Sequence, residues 1–263
     1  TNNTIMKFRS IIAFLLIHFF FFNANSQVIT ADPEFPIATS AVTIYFDATQ
    51  GNQALKDFTG DVYTHTGLIT SASTSSTDWK HVIAGWTVNT AKAKLTRISA
   101  NLYQLSITPS IKEFYGVAED EEVLKLAFLF RNSDGSKVAR EADGGDIFYN
   151  VYAAGLNVNI SYPTNDMIVT PGQQVTIQAS SNESDSLFLY IDNNLILELD
   201  GTTVSYNYTE NTPGSHKIKV TAKNTEEITQ DSVYLQVRGE PQVGELPSGW
   251  KKGINYLDDD SVG

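Results

Sequence analysis

From residue 42 onward, apolar residues come in short runs that either alternate with polar residues or stay apolar for a few positions. Clusters of turn formers separate the runs. Residues 42–46 (Val-Thr-Ile-Tyr-Phe) open the series, and further runs lie at 62–69, 79–86, 95–107, 123–130 and 147–152. The run at 95–107 breaks near Ser99-Ala100-Asn101. Turn signals fall at 71–78, at Asn132-Ser133-Asp134-Gly135 and at Asp143-Gly144-Gly145. Short β-rich runs with turns between them predict an antiparallel sandwich or barrel. Residues 123–130 are almost continuously apolar and read as a central strand covered on both faces. Only residues 110–122 could hold a helical turn.

A second series starts near Leu156. Val158 and Ile160 alternate with Asn157, Asn159 and Ser161, and Pro163 ends that strand. Pro171-Gly172 is a turn, and Val175, Ile177 and Ala179 then alternate with polar residues. Residues 187–191 form the next strand, with Asp192-Asn193-Asn194 as a hairpin turn tolerant of left-handed backbone. Runs at 204–208, 216–222 and 233–237 follow, the second with Ile218 and Val220 inward. About seven short strands over about 80 residues is the count of an immunoglobulin-like sandwich.

The ends read differently. Met6 is the expected start, Lys7 and Arg9 form a basic n-region, and residues 11–22 are apolar apart from His18. Ala24-Asn25-Ser26 is a small-x-small site, so cleavage before Gln27 is expected. The apolar run of about 12 residues is too short for the roughly 20 of a membrane span. Residues 239–249 form a linker with Pro241, Gly244 and Pro247, and residues 250–263 read as the truncated start of a next β module. The expected fold is therefore all-β. It comprises a signal peptide over residues 1–26, tandem β-sandwiches over 27–154 and 155–238, the linker, and the beginning of a third module. Such a chain is exported, to the cell surface or beyond, and is expected to be a monomer with no membrane span.

Charge and residue inventory narrow the function. The chain carries a formal net charge of −12, and losing Lys7 and Arg9 makes the remainder more negative. No basic block follows the leader, so a nucleic-acid partner is not expected. The chain has no cysteine, which removes disulfides, thiolate metal sites, Cys nucleophiles and a lipid-bearing N-terminal cysteine. Only His65, His81 and His216 remain beyond the leader, with no G-x-S-x-G elbow, H-E-x-x-H pair or phosphate loop. Asp143, Asp146, Asp192 and Asp200 stand beside Gly or Asn, where turn chemistry explains them. No catalytic residue, metal ligand or cofactor is expected.

The aromatics are more informative. A sugar ring offers an apolar C–H face and a rim of hydroxyls, so its site needs an exposed aromatic ring with polar groups beside it. Tyr63 and His65 share one face of a strand because side chains alternate. Trp79 follows a polar turn, where a side chain is commonly exposed. Trp86, flanked by Ala84-Gly85 and Val88, is on composition the better core candidate. Tyr63, His65, Trp79 and Trp86 are the candidate carbohydrate-binding residues.

Residues 57–86, with Gly60-Asp61-Val62-Tyr63-Thr64-His65-Thr66-Gly67 and then Trp79, resemble the start of the starch-binding modules of carbohydrate-binding families 25 and 26. Phe128-Leu129-Phe130-Arg131-Asn132-Ser133-Asp134-Gly135-Ser136, with Gly145-Asp146-Ile147-Phe148, resembles the end of such a module. In those modules a Tyr-x-His or Tyr-x-Tyr strand and a following Trp form the platform for α-1,4-linked glucose. Gly253-Ile254-Asn255-Tyr256 resembles the entry to the N-terminal sandwich of glycoside hydrolase family 13 enzymes of Bacteroidetes. The resemblance implies a non-catalytic module that tethers a secreted amylase-type hydrolase to starch or a related α-glucan. Two other readings stay open: a surface adhesion or structural protein of stacked immunoglobulin-like modules, and a starch-binding component of an outer-membrane uptake system. The missing cysteine argues against the last.

Overall fold

The computed structural model describes residues 27–239. The expected signal peptide and the start of a third module lie outside the described residues. The first module holds eight strands: β1 (Ile29–Asp32), β2 (Val42–Asp47), β3 (Val62–Thr70), β4 (Thr96–Ser99), β5 (Leu102–Ile107), β6 (Val123–Asn132), β7 (Val138–Ala139) and β8 (Ile147–Asn150). One sheet runs β1-β2-β5-β4; the other places β6 between β3 on one side and both β7 and β8 on the other. Their inner faces meet in one core that includes Ile44, Phe46, Leu68, Tyr103, Ile107, Leu126, Phe128 and Phe130. Phe46 and Phe130 stack across it with centroids 4.1 Å apart.

Local chemistry sets the boundaries. Asn101 takes φ 67° at the tight turn between β4 and β5, a left-handed conformation that Asn tolerates better than most residues. The short helix α1 (Ile111–Tyr115) begins at Ser110, whose hydroxyl accepts from the Glu113 backbone N–H, and ends at Gly116 with φ 72°. Both ends follow ordinary capping rules. The central position of β6 matches its apolar sequence: from Leu126 to Asn132 every residue is buried.

The structure departs from the pattern at residues 79–86. They form no strand; one bridge, Leu68 with Lys80, is all the pairing they make. The physical reason lies in the turns: His81 sits at φ 52°, and the chain leaves the edge of β3 after Ile83 donates to the Thr66 carbonyl. The strand β1, next to the proline-rich entry, and the two-residue β7 are also new.

The second module holds β9 (Val158–Tyr162), β10 (Met167–Val169), β11 (Gln174–Ser181), β12 (Ser186–Ile191), β13 (Asn194–Asp200), β14 (Thr203–Thr209), β15 (Gly214–Lys223) and β16 (Ile228–Val237). They form a five-stranded sheet, β10-β16-β15-β12-β13, over a three-stranded one, β14-β11-β9. Val175, Ile177, Leu187, Leu189, Ile218, Val220 and Leu235 fill the space between. The hairpin of β12 and β13 turns on Asp192 (φ 49°) and Asn193 (φ 68°), the two left-handed positions of a type I′ turn. No helix among the described residues is long and apolar enough to cross a membrane.

Candidate functional site

The alternation of β3 turns Val62, Thr64, Thr66 and Leu68 inward, where all four are buried, and Tyr63, His65 and Gly67 outward. Antiparallel register sets Tyr63 opposite Arg131, His65 opposite Leu129 and Gly67 opposite Ala127. On the far side of β6, Phe148 of β8 pairs with Ala127. This outward face is therefore a short grid of His65, Gly67, Ala127, Leu129 and Phe148, framed at one end by Tyr63 and Arg131.

The segment after β3 brings two indoles to this grid. Leu68 and Lys80 exchange backbone hydrogen bonds of 2.8 and 2.7 Å, which fixes Trp79 beside β3. A Cβ at Gly67 would stand 3.4 Å from the Trp79 Cβ and 2.9 Å from the Lys80 carbonyl, so the missing side chain lets the segment lie close. The Trp79 ring stacks on His65, with centroids 5.7 Å apart and planes 24° from parallel. It meets Phe148 edge-on at 6.3 Å, and its indole N–H donates to the Ser76 carbonyl at 3.1 Å. Trp86 meets His65 edge-on at 5.2 Å. His65 is thus the hub of the cluster, touching both indoles.

Trp86 is 40% exposed, which corrects the expectation that it belongs to the core. Its small neighbours Ala84 and Gly85 do not mark burial here; they belong to a loop that crosses the outside of the sheet. Trp79 is half-buried. Tyr63 does not join the ring contacts. The Arg131 guanidinium lies over its ring at 5.6 Å instead.

The polar surroundings are largely committed to each other. Arg140 donates to Asp146 at 2.8 Å, and the Lys125 ammonium lies 5.8 Å from the Phe148 ring. Burial pushes the His65 pKa below its ordinary value, the Arg131 charge adds to the shift, and the Ala84 backbone and Asp146 oppose it. The shift favours the neutral imidazole, whose Nδ1 is buried without a hydrogen-bond partner. An aromatic surface of this kind can stack on an uncharged ring.

The other candidate residues are structural. Asp143 accepts from the Gly145 N–H at 2.8 Å within its turn. Asp192 accepts from the Lys217 N–H at 2.8 Å and meets His216 Nδ1 at 2.7 Å. His81 pairs with Glu121 at 2.9 Å. Among the described residues no group of three or more His, Asp or Glu side chains is placed to hold a metal ion.

Sequence reasoning missed two contributors. Phe148 looked like an ordinary strand residue, although its alternation with Ile147 would have turned it outward. Gly135 enters because its turn folds against Trp86: a Cβ there would stand 3.1 Å from the indole nitrogen. The sequence run Asn132-Ser133-Asp134-Gly135 marked the turn but not what it touches.

Two family models match parts of the chain. Residues 29–139 match a family model described as a domain of unknown function (DUF8578). Residues 157–220 match a family model described as a bacterial Ig domain. Neither description names a starch-binding or glycoside hydrolase family. No curated protein matches the chain. Similar solved structures include fibronectin(III)-like modules of Clostridium thermocellum CbhA, at 20% identity and a TM-score of 0.28, covering 31% of this chain and 96% of that one. An endo-beta-1,4-mannanase from Thermotoga petrophila has 13% identity and a TM-score of 0.28, covering 34% of this chain and 21% of that one. The titin domains z1z2 in complex with telethonin have 16% identity and a TM-score of 0.27, covering 82% and 98%. The chain is an all-β protein whose second module is similar to bacterial Ig domains.

Proposed function

We propose that the first module is a non-catalytic carbohydrate-binding module, and that it holds starch or a related α-glucan on the outward face of β3, β6 and β8. The observation that carries this reading is the grouping of Trp86, His65 and Trp79 around one point of a sheet face, with Trp86 40% exposed. A glucose ring would stack its C–H face on an indole, and polar groups at the rim, Asp146 and Lys125 among them, would meet hydroxyls. The preference for an α-linked glucan rests on the resemblance of residues 57–86 and 128–148 to starch-binding modules. The second module is a spacer, and the exported chain tethers an attached hydrolase near its substrate, raising its effective concentration.

Native gel electrophoresis of the chain from Gln27 onward, with and without soluble amylose, tests the reading. Retardation by amylose that is lost in Trp86→Ala supports it; equal mobility in both gels sinks it. A second reading is favoured by the bacterial Ig match over residues 157–220: a surface adhesion or structural protein of stacked modules. That reading predicts no retardation by any glucan.

A further inference from the structure

We propose that Arg131 is the positioning residue that holds Trp86 in place for ligand stacking, acting through the Asn132–Ser136 turn and Asn89. The proposal rests on the binding role assigned to Trp86 above.

Arg131 is the largest fully buried side chain among the described residues, 1% exposed, although it points to the outer face of its sheet. Its partners explain the burial. Nη1 donates to Asn89 Oδ1 at 2.8 Å, to the Asn132 carbonyl at 3.0 Å and to the Ser133 carbonyl at 3.3 Å. Nη2 donates to the Val88 carbonyl at 3.3 Å. One guanidinium therefore ties the loop that carries Trp86 to the turn that follows β6. Asn89 closes the link from its other end, donating from Nδ2 to the same Ser133 carbonyl at 3.0 Å.

The turn is itself closed by hydrogen bonds. Lys137 N–H donates to Asn132 Oδ1 at 3.0 Å, Gly135 N–H to the Asn132 carbonyl at 3.2 Å, and Ser136 N–H to Asp134 Oδ1 at 2.9 Å. Gly135, at φ 75°, then presents its bare Cα to the Trp86 indole nitrogen. A fork of donors on a planar group is needed to reach both segments at once, which a lysine ammonium does less well. A half-exposed indole on a free loop would lose rotamer freedom on meeting a sugar; one held in advance loses less.

The test uses the chain from Gln27 onward, labelled with 5-fluorotryptophan. It contains Trp79, Trp86 and Trp250, and single Trp→Phe variants assign the three fluorine resonances. Asn89→Ala removes two hydrogen bonds of the link, those from Arg131 Nη1 and to the Ser133 carbonyl, while leaving buried Arg131 in place, and Arg131→Lys tests the fork directly. The proposal predicts that Asn89→Ala shifts or broadens the Trp86 resonance and leaves that of Trp79 unchanged. It also predicts about three- to tenfold weaker amylose affinity, with a thermal midpoint close to the parent's. Should the Trp86 resonance be unaltered in Asn89→Ala, the proposal is overturned whatever the affinity shows. Should Trp86→Ala bind amylose as well as the parent, the binding role of Trp86 fails and takes this role with it. A folded Arg131→Lys protein with parental affinity and spectrum also counts against it.

Discussion

The imidazole of His65 stacks on the indole of Trp79 at 5.7 Å, so one face of that indole is occupied within the protein itself. The indole N–H is held by the Ser76 carbonyl. Trp79 is thus fixed in orientation and half-buried, whereas Trp86 touches His65 only edge-on and leaves more of its surface to solvent. The two tryptophans divide the work: Trp79 builds the surface and Trp86 presents it.

That division predicts unequal stability costs. Trp79→Ala removes contacts with His65, Gly67 and Phe148 and is expected to cost about 2–3 kcal/mol, somewhat under the range for a fully buried Trp. Trp86→Ala is expected to cost less than about 1 kcal/mol, as for an exposed side chain. Urea unfolding of both variants measures the difference. A larger cost at Trp86 than at Trp79 contradicts the assignment.

Gly67→Ala is expected to destabilise the first module by about 1–3 kcal/mol, the usual cost of overpacking. Its new methyl would stand 2.9 Å from the Lys80 carbonyl, which is backbone and already hydrogen-bonded to Leu68. Relief requires the segment carrying Trp79 to move outward, so tryptophan emission should shift along with the unfolding midpoint. Parental stability and emission would show that the segment is not held against β3.

Two histidines give opposite pH dependences. Burial, aided by Arg131, holds the His65 pKa below 6.5. The unfolded chain then binds the proton more readily, and stability is lost as pH falls from about 6.5 through the lowered folded value. At His216, burial acts against the charge, but Asp192, the Thr212 carbonyl and Glu210 together outweigh it and raise the pKa. The stability His216 supplies is full below about 6.5 and is lost as pH rises through the raised folded value. Thermal unfolding across pH 5 to 8 checks this: His65→Gln should flatten the acid side of the profile and His216→Gln the neutral side. The same flattening in both variants would contradict the signs.

How much of this was readable beforehand depends on where alternation has a consequence. In β3 one face is core, so the inward set of Val62, Thr64, Thr66 and Leu68 fixes Tyr63 and His65 outward, as alternation requires. The strand β13 escaped notice because it lies at a sheet edge and Leu195 is 52% exposed; apolar residues there obey no burial pattern. The loop after β3 reads as a strand in the sequence because Trp79, Val82, Ile83 and Trp86 are β-type residues, yet Trp79, Val82 and Trp86 lie over the outer sheet face while Ile83 packs against the core. Composition near Trp86 pointed to the core for the same reason: small neighbours accompany close packing on either face of a sheet. The role of Arg131 could not be read, since its partners Val88 and Asn89 lie about 40 residues away in sequence, joined to it only through the register of β3 and β6.

The isolated second module, residues 155–238, is expected to fold on its own core and to show no retardation in an amylose gel. Its sheets carry Tyr190, Tyr206, Tyr208 and Tyr234 but no tryptophan. Retardation of this module would move glucan binding away from the outer face of β3.

The central claim is that the outward aromatic cluster of the first module binds an α-glucan, and amylose affinity electrophoresis of Trp86→Ala beside thermal unfolding tests it most directly. The account predicts binding weaker by about 1–3 kcal/mol, the worth of one ring stacked on an aromatic side chain, with the unfolding midpoint nearly unchanged. Parental affinity in Trp86→Ala and in Trp79→Ala alike, or no affinity in the parent, would contradict it and leave the structural, adhesion-type reading in its place.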